Sequence, residues 1–208
     1  MWIVAADGGT PSPLSGAALS ESLDLTWAPG SRILFQQPGN RNYHALDPES
    51  REDSLIARDG SVGWMFSPSY SQDGRSIAVS WNRKPERGIW IVDAHDGAEQ
   101  FIQKTGAGTM VIGWSKDGSA IYAVDGKTAA GRGSVLPAGE TITEARILEI
   151  PVNGAPARTV ATLPGAEIGG VTMTPDARRF VYTVYSSRSD IWVVDDFDAG
   201  VPSRRARR

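Results

Sequence analysis

Cysteine is missing from all 208 residues, which excludes a disulfide framework and a thiolate metal site and leaves the redox compartment open. Long apolar runs are missing as well: the longest are about five residues, against the roughly 20 that a membrane helix needs. At the N-terminus, Asp7 interrupts Met1-Trp2-Ile3-Val4-Ala5-Ala6 before an apolar signal region forms. Helical periodicity is scarce, and its best candidate, Ser15 to Leu23, is short. Only two histidines occur, His44 and His95. No Gly-x-Ser-x-Gly elbow, His-Glu-x-x-His pair or phosphate-cradling glycine loop is present, so the nucleophile and metal templates fail and no cofactor or metal is expected. A formal net charge of -3 argues against generic nucleic-acid binding.

What is present is a repeat. In Ser69 to Gly97, SYSQDGRSIAVSWNRKPERGIWIVDAHDG, the turn Ser71-Gln72-Asp73-Gly74-Arg75 separates two short strands, Ile77 to Trp81 and Ile89 to Val92. Asp caps its own backbone in such a turn, and Gly supplies the positive φ that closes it. Both strands are apolar on both faces, as in a sheet covered on two sides. The turn recurs, its third residue falling at Gly30, Gly74, Gly118 and Ala177, in steps of 44, 44 and 59. An aromatic-led strand recurs too, as Trp2-Ile3-Val4, His44-Ala45-Leu46, Trp90-Ile91-Val92, Leu148-Glu149-Ile150 and Trp192-Val193-Val194. Two markers at one period of roughly 40 to 50 residues predict an all-β propeller of four-stranded antiparallel blades.

Laid out on that period, residues 1–208 form a single propeller of about four blades. Residues 1–15 read as the third and fourth strands of a partial blade joined by Asp7-Gly8-Gly9. Blades follow at about 20–57, 58–104 and 105–164, with inner strands expected at Leu23 to Trp27 and Val62 to Phe66 and an irregularity at Ser67-Pro68-Ser69. The third full blade carries the long insertion Lys127 to Thr143, of a length usually functional. A three-stranded last blade, 165–197, precedes a basic tail, 198–208. Seventeen strands are not a multiple of four, so the ring is expected to be incomplete. Its open edges invite self-association.

The turns SQDGRSIAVSW and SKDGSAIYAV, followed by strands such as GIWIVD, resemble the bacterial TolB-like, WD-repeat-like propeller repeats. The final TPDARRFVYTVYSSRSDIWVVDDF is similar to the end of propellers fused behind bacterial serine/threonine kinases or winged-helix regulators. The resemblance implies a non-enzymatic module for protein interaction or ligand sensing, the C-terminal part of a larger protein, with periplasmic or other extracytoplasmic residence. Two alternatives stand beside it: the gating propeller of a prolyl-oligopeptidase-like peptidase, and a lectin-like or anion-binding propeller.

Candidate site residues come from the loops joining second to third strands, which open on one face of a propeller. There the sequence places Arg41, then Asn82, Arg83, Lys84 and Arg87, then Arg132 in the insertion, and Arg188. Basic residues outnumber acidic ones on this face of an acidic chain, so it suits a protein partner or a small anionic ligand. Other features read more plainly. The Asp-Gly pairs are structural turns, His44 stands where other copies place a packing aromatic, and His95 lies in a hairpin turn. Asp195-Asp196-Phe197-Asp198 is a solvated turn, and Arg204 to Arg208 a disordered end. The seven tryptophans are expected mainly in the core, with Trp90 buried between blades and Trp81 nearer the loop face.

Overall fold

The computed structural model describes residues 2–14, 25–37, 41–57, 63–83, 85–106, 108–126, 145–164, 167–174 and 176–185. Within these, the repeated turn is built the same way each time. Ser71 Oγ donates to Asp73 Oδ1 at 2.7 Å and the Arg75 N–H donates to the same oxygen at 3.1 Å, while Gly74 takes φ 71°. Ser115, Asp117, Gly118 and Ser119 reproduce these bonds at 2.7 and 3.1 Å, with Gly118 again at φ 71°. In the last copy Thr174 Oγ1 donates to Asp176 Oδ1 at 2.5 Å, and Ala177 stands at φ 56° where the other copies use glycine. Donors inside the turn hold the Asp73 and Asp176 carboxyls below the usual carboxylate range and pull Asp117 down to about 2. The first copy, Pro29–Ser31, lacks the Asp and makes a short 3-10 turn.

These turns fold the chain into successive meanders. Strands β3 (Leu25–Ala28), β4 (Arg32–Gln36), β5 (Tyr43–Leu46) and β6 (Asp53–Ala57) form one four-stranded antiparallel sheet. A second contains β7 (Met65–Tyr70), β8 (Ser76–Trp81), β9 (Gly88–Asp93) and β10 (Glu99–Lys104). A third contains β11 (Met110–Trp114), β12 (Ala120–Gly126), β13 (Ala145–Pro151) and β14 (Arg158–Leu163). Two-stranded sheets flank them, β1 (Trp2–Ile3) with β2 (Ser12–Pro13), and β15 (Glu167–Met173) with β16 (Phe180–Tyr185). First strands lie side by side: β3 meets β7, β7 meets β11 and β11 meets β15. Each sheet is thus a blade with its first strand innermost, and among the described residues no strand pairs across the two ends of the array.

The alternation of strand side chains sends each blade's apolar residues to both neighbours. From β8 and β9, Ile77, Val79, Trp81, Trp90 and Val92 pack onto Leu34 and Tyr43 of the blade before. Ala78 and Ile89 face the other way, against Trp114, Ile121 and Ile150 of the blade after. Val124, Ala145 and Ile147 then meet Ile168. On the first side, Ile33, Phe35 and Leu46 meet Leu14 and Ile3.

Several placements differ from expectation. The inner strand expected at Val62 to Phe66 is Met65–Tyr70, and the Ser67-Pro68-Ser69 irregularity is a bulge inside it, with Ser67 at φ 50°. The same strand carries a register shift in the next two copies, at Val111/Gly113 and Ile168/Val171. Trp81 ends β8 but is only 2% exposed, so it belongs to the core as fully as Trp90 at 6%. Trp27 and Trp2, by contrast, are 63% and 68% exposed, against the expectation that tryptophans here are mainly core. The Ser15 to Leu23 candidate helix, the Lys127 to Thr143 insertion, the Trp192 to Val194 strand, Asp195 to Asp198 and the basic tail lie outside the described residues. Among the described residues no helix is long and apolar enough to cross a membrane.

Candidate functional site

The loops between second and third strands do open at one end of the blades. In the first full blade, the Gln37 N–H donates to Asn42 O at 2.8 Å and the Arg41 N–H to Gln37 O at 2.9 Å, closing a tight loop with Arg41 at φ 61°. Its guanidinium lies 4.6 Å above the Trp64 ring, which stacks on Phe66 at 6.2 Å. Gln36 fixes the loop from below: its buried Nε2 donates to Arg41 O at 3.2 Å and Met65 O at 3.3 Å.

The next blade repeats the device with different parts. Asn82 closes the end of β8 onto the entry of β7, its N–H donating to Trp64 O at 3.0 Å and its Oδ1 accepting the Trp64 N–H. The Arg83 guanidinium sits 5.0 Å from both the Trp81 and Trp90 rings, and Nη1 donates to the Glu99 carboxylate on β10. Trp90 Nε1 donates to Glu86 O at 3.1 Å, which ties the rest of the loop down. Arg87 is half-buried, and its carbonyl accepts the Thr105 N–H at 3.4 Å.

Arg41, Asn82, Arg83 and Arg87 therefore share one end of two consecutive blades, whereas Lys84, Arg132 and Arg188 lie outside the described residues. Asn82 and Arg83 are engaged within the fold, Asn82 as a backbone clasp and Arg83 as the lid over two core tryptophans. Glu99 and Trp64, which complete the arrangement, carry no local sequence signal, since Glu99 meets Arg83 only through the pairing of β10 with β9 and β9 with β8, and Trp64 meets Arg41 only through the stacking of one blade on the next. In the third full blade the same end holds Asp125, which accepts from Thr109 Oγ1 at 2.7 Å and from Arg146 Nη2 at 3.1 Å. The field of this end is accordingly mixed, less basic than loop composition suggests.

The histidines stay apart. His44 Nδ1 meets Asp53 Oδ1 at 2.9 Å, and its ring lies 5.6 Å from Phe35 as a packing aromatic would. His95 sits in the β9–β10 turn, where its N–H donates to Asp93 Oδ1 at 2.8 Å. Among the described residues no group of three or more His, Cys, Asp or Glu side chains could hold a metal ion.

No family model and no curated protein matches the chain. Solved structures do. TolB from Acinetobacter baumannii superposes with a TM-score of 0.65 at 16% identity, over 91% of this chain and 44% of its own. The fold is a TolB-like β-propeller. A nidogen/laminin complex shares it at a TM-score of 0.59 and 12% identity, over 78% of this chain and 56% of the matched one. So does the tricorn protease, at 0.51 and 12%, over 83% of this chain and 16% of its own. This chain spans between 16% and 56% of the length of these three matched chains. Identities this low carry the fold and no activity, because one architecture serves unrelated functions.

Proposed function

We propose that this propeller is a non-enzymatic binding module, and that an acidic protein segment or a small anion docks at the end where the second-to-third-strand loops open. The observation that carries this reading is the seating of Arg41 on Trp64 and of Arg83 on Trp81 and Trp90, in equivalent loops of successive blades. An aromatic platform holds a guanidinium in place and strips part of its water, so a carboxylate that arrives at Arg41 meets a cation needing little further ordering, while at Arg83 it must compete with the Glu99 carboxylate already paired there. Arg87 belongs to the same loop as Arg83 and adds to its field. Extracytoplasmic residence in a bacterium goes with this reading through the resemblance of the repeats. A protein complex among the structures that share the fold, nidogen with laminin, is in keeping with a partner that is itself a protein.

A hexaglutamate peptide and inorganic phosphate, titrated calorimetrically into the full chain at low and at physiological salt, test the reading. Binding of either probe that weakens in a combined Lys84→Ala, Arg87→Ala variant supports it. Deletion of Arg204 to Arg208 is the control: if that deletion abolishes binding while the loop variant binds normally, the loop-end reading is wrong. The tricorn protease motivates the rival reading of a propeller that gates a peptidase. That rival predicts tight association with a hydrolase domain and no affinity for either probe.

A further inference from the structure

The turn from third to fourth strand is made on one hydrogen-bond pattern in all three full blades, with a different acceptor in each. The Glu52 N–H donates to Ser50 Oγ at 3.3 Å, the Ala98 N–H to Asp96 Oδ1 at 2.8 Å and the Ala155 N–H to Asn153 Oδ1 at 3.0 Å. The residue between acceptor and donor has a positive φ each time, 66° at Arg51, 74° at Gly97 and 79° at Gly154. The third copy thereby sets an asparagine directly before a glycine. No other asparagine of the chain precedes one.

Asn153-Gly154 holds the parts of an intramolecular reaction. Asn153 Cγ and Gly154 N are joined through three atoms, so a bond between them closes a five-membered ring. Both residues are exposed, and nothing lies within 4 Å of the place a Cβ on Gly154 would take, which leaves its nitrogen open to solvent base and unobstructed toward Cγ. The Ala155 N–H already points at Asn153 Oδ1, the oxygen on which negative charge gathers as Cγ becomes tetrahedral; it is an oxyanion donor supplied by the turn. The bond that retains the Gly154 proton is long, 3.2 Å to Pro151 O. The other asparagines lack this arrangement. Asn42 and Asn82 precede the bulky Tyr43 and Arg83, Asn82 Oδ1 is taken up by the Trp64 N–H, and Asn40 lies outside the described residues.

We propose that Asn153 is a modification site of the folded chain, where the side-chain amide is lost to Gly154 N and replaced by a carboxylate. Solvent base takes the Gly154 amide proton, the nitrogen adds to Asn153 Cγ, and the Cγ–Nδ2 bond breaks as Nδ2 leaves with a proton as ammonia. Water then opens the cyclic imide, so one water is consumed, one ammonia is released and nothing is oxidised. Opening at Cγ leaves an aspartate at position 153. The fold has a place for it, since Asp96 makes the same bond in the blade before. Opening at the backbone carbonyl leaves an isoaspartate, which lengthens the main chain between Val152, whose N–H donates to Ser119 O at 3.0 Å, and Ala155. Either product adds a negative charge to a chain of net charge -3, beside the Asp117 turn and at the far end from the second-to-third-strand loops.

Incubation of the folded full chain in mildly alkaline buffer, followed by tryptic digestion and mass spectrometry against an unincubated sample, tests this. The peptide Ile147–Arg158 carries Asn153 as its only side-chain amide, so the change is assigned without ambiguity. That peptide should gain about 1 Da as ammonia is released, and one of its products should co-elute with the same peptide from Asn153→Asp. The Asp-Gly pairs change no mass and do not interfere. Asn153→Gln, which would need a six-membered ring, should release little ammonia. The proposal is overturned if Ile147–Arg158 keeps its mass in the folded chain while the same chain in urea converts, since the turn would then protect the amide. A faster gain in the peptides that carry Asn42 or Asn82, or undiminished ammonia release from Asn153→Gln, overturns it as well.

Discussion

Trp114 and Ser69, 45 positions apart in sequence, are joined across two blades by one hydrogen bond of 2.9 Å from the indole N–H to a backbone carbonyl. The bulge at Ser67-Pro68-Ser69 and the tryptophan that ends β11 are two halves of one contact between blades. Trp114→Phe keeps an aromatic ring but removes the donor together with the second ring of the indole, leaving a part-buried carbonyl without its partner and a small void beside it. A loss of about 1–3 kcal/mol is expected. The denaturation midpoint should fall with an unchanged slope, and a variant as stable as the native chain would show that the bond contributes nothing net.

Trp81→Ala and Trp90→Ala should be equally severe, each costing roughly 3–5 kcal/mol. Their rings pack edge to face with centroids 5.4 Å apart in the interface between the first two full blades. Urea unfolding of both single variants and of the double variant is the measurement. Because the rings touch, the double loss should be smaller than the sum; a Trp81→Ala loss of less than half the Trp90→Ala loss would contradict the packing described.

Arg83→Ala should destabilise by about 1–2 kcal/mol, well above an ordinary exposed arginine, because the guanidinium covers two buried rings. Arg83→Lys should recover only part of this, since an ammonium lacks the planar face that lies on the indoles. Combining Arg83→Ala with Glu99→Ala in a double-mutant cycle separates the ion pair from the aromatic contact. If Arg83→Ala and Arg87→Ala have the same small effect, Arg83 is an ordinary loop charge.

Acid should weaken the turns in concert. Asp117 is pulled down to about 2 by the Ser115 hydroxyl first and by Ser119 after it. The side-chain bond from Ser71 does the same, in direction, for Asp73, as that from Thr174 does for Asp176, and backbone N–H groups do so for Asp47 and Asp93. A folded-state pKa below the unfolded value of 3.8 stabilises the fold above pH 3.8, and this stabilisation is lost as pH falls toward 2. Asp117→Asn should flatten the fall in denaturation midpoint over that window; an identical pH profile for variant and native chain would refute it.

Local chemistry made the blade legible from residues alone. A Ser or Thr two positions before Asp, followed by Gly, has the donors and the positive φ for one turn shape, and the same turn recurs between strands apolar on both faces. Periodicity then implied stacked sheets, since only a sheet covered twice can hide Ile77 and Ala78 together. The positions of β4 and β5 follow from the same pattern. What the pattern could not settle is which face of a strand finds a neighbour. Trp27 and Trp114 are the same letter in the same register, yet one is exposed and the other buried, because burial depends on a blade elsewhere in the chain. Arg83 likewise read as a free loop cation, but Glu99 reaches it only once β10 pairs with β9. Burial and charge pairing are properties of the space between blades, and that space exists only after distant strands have been stacked.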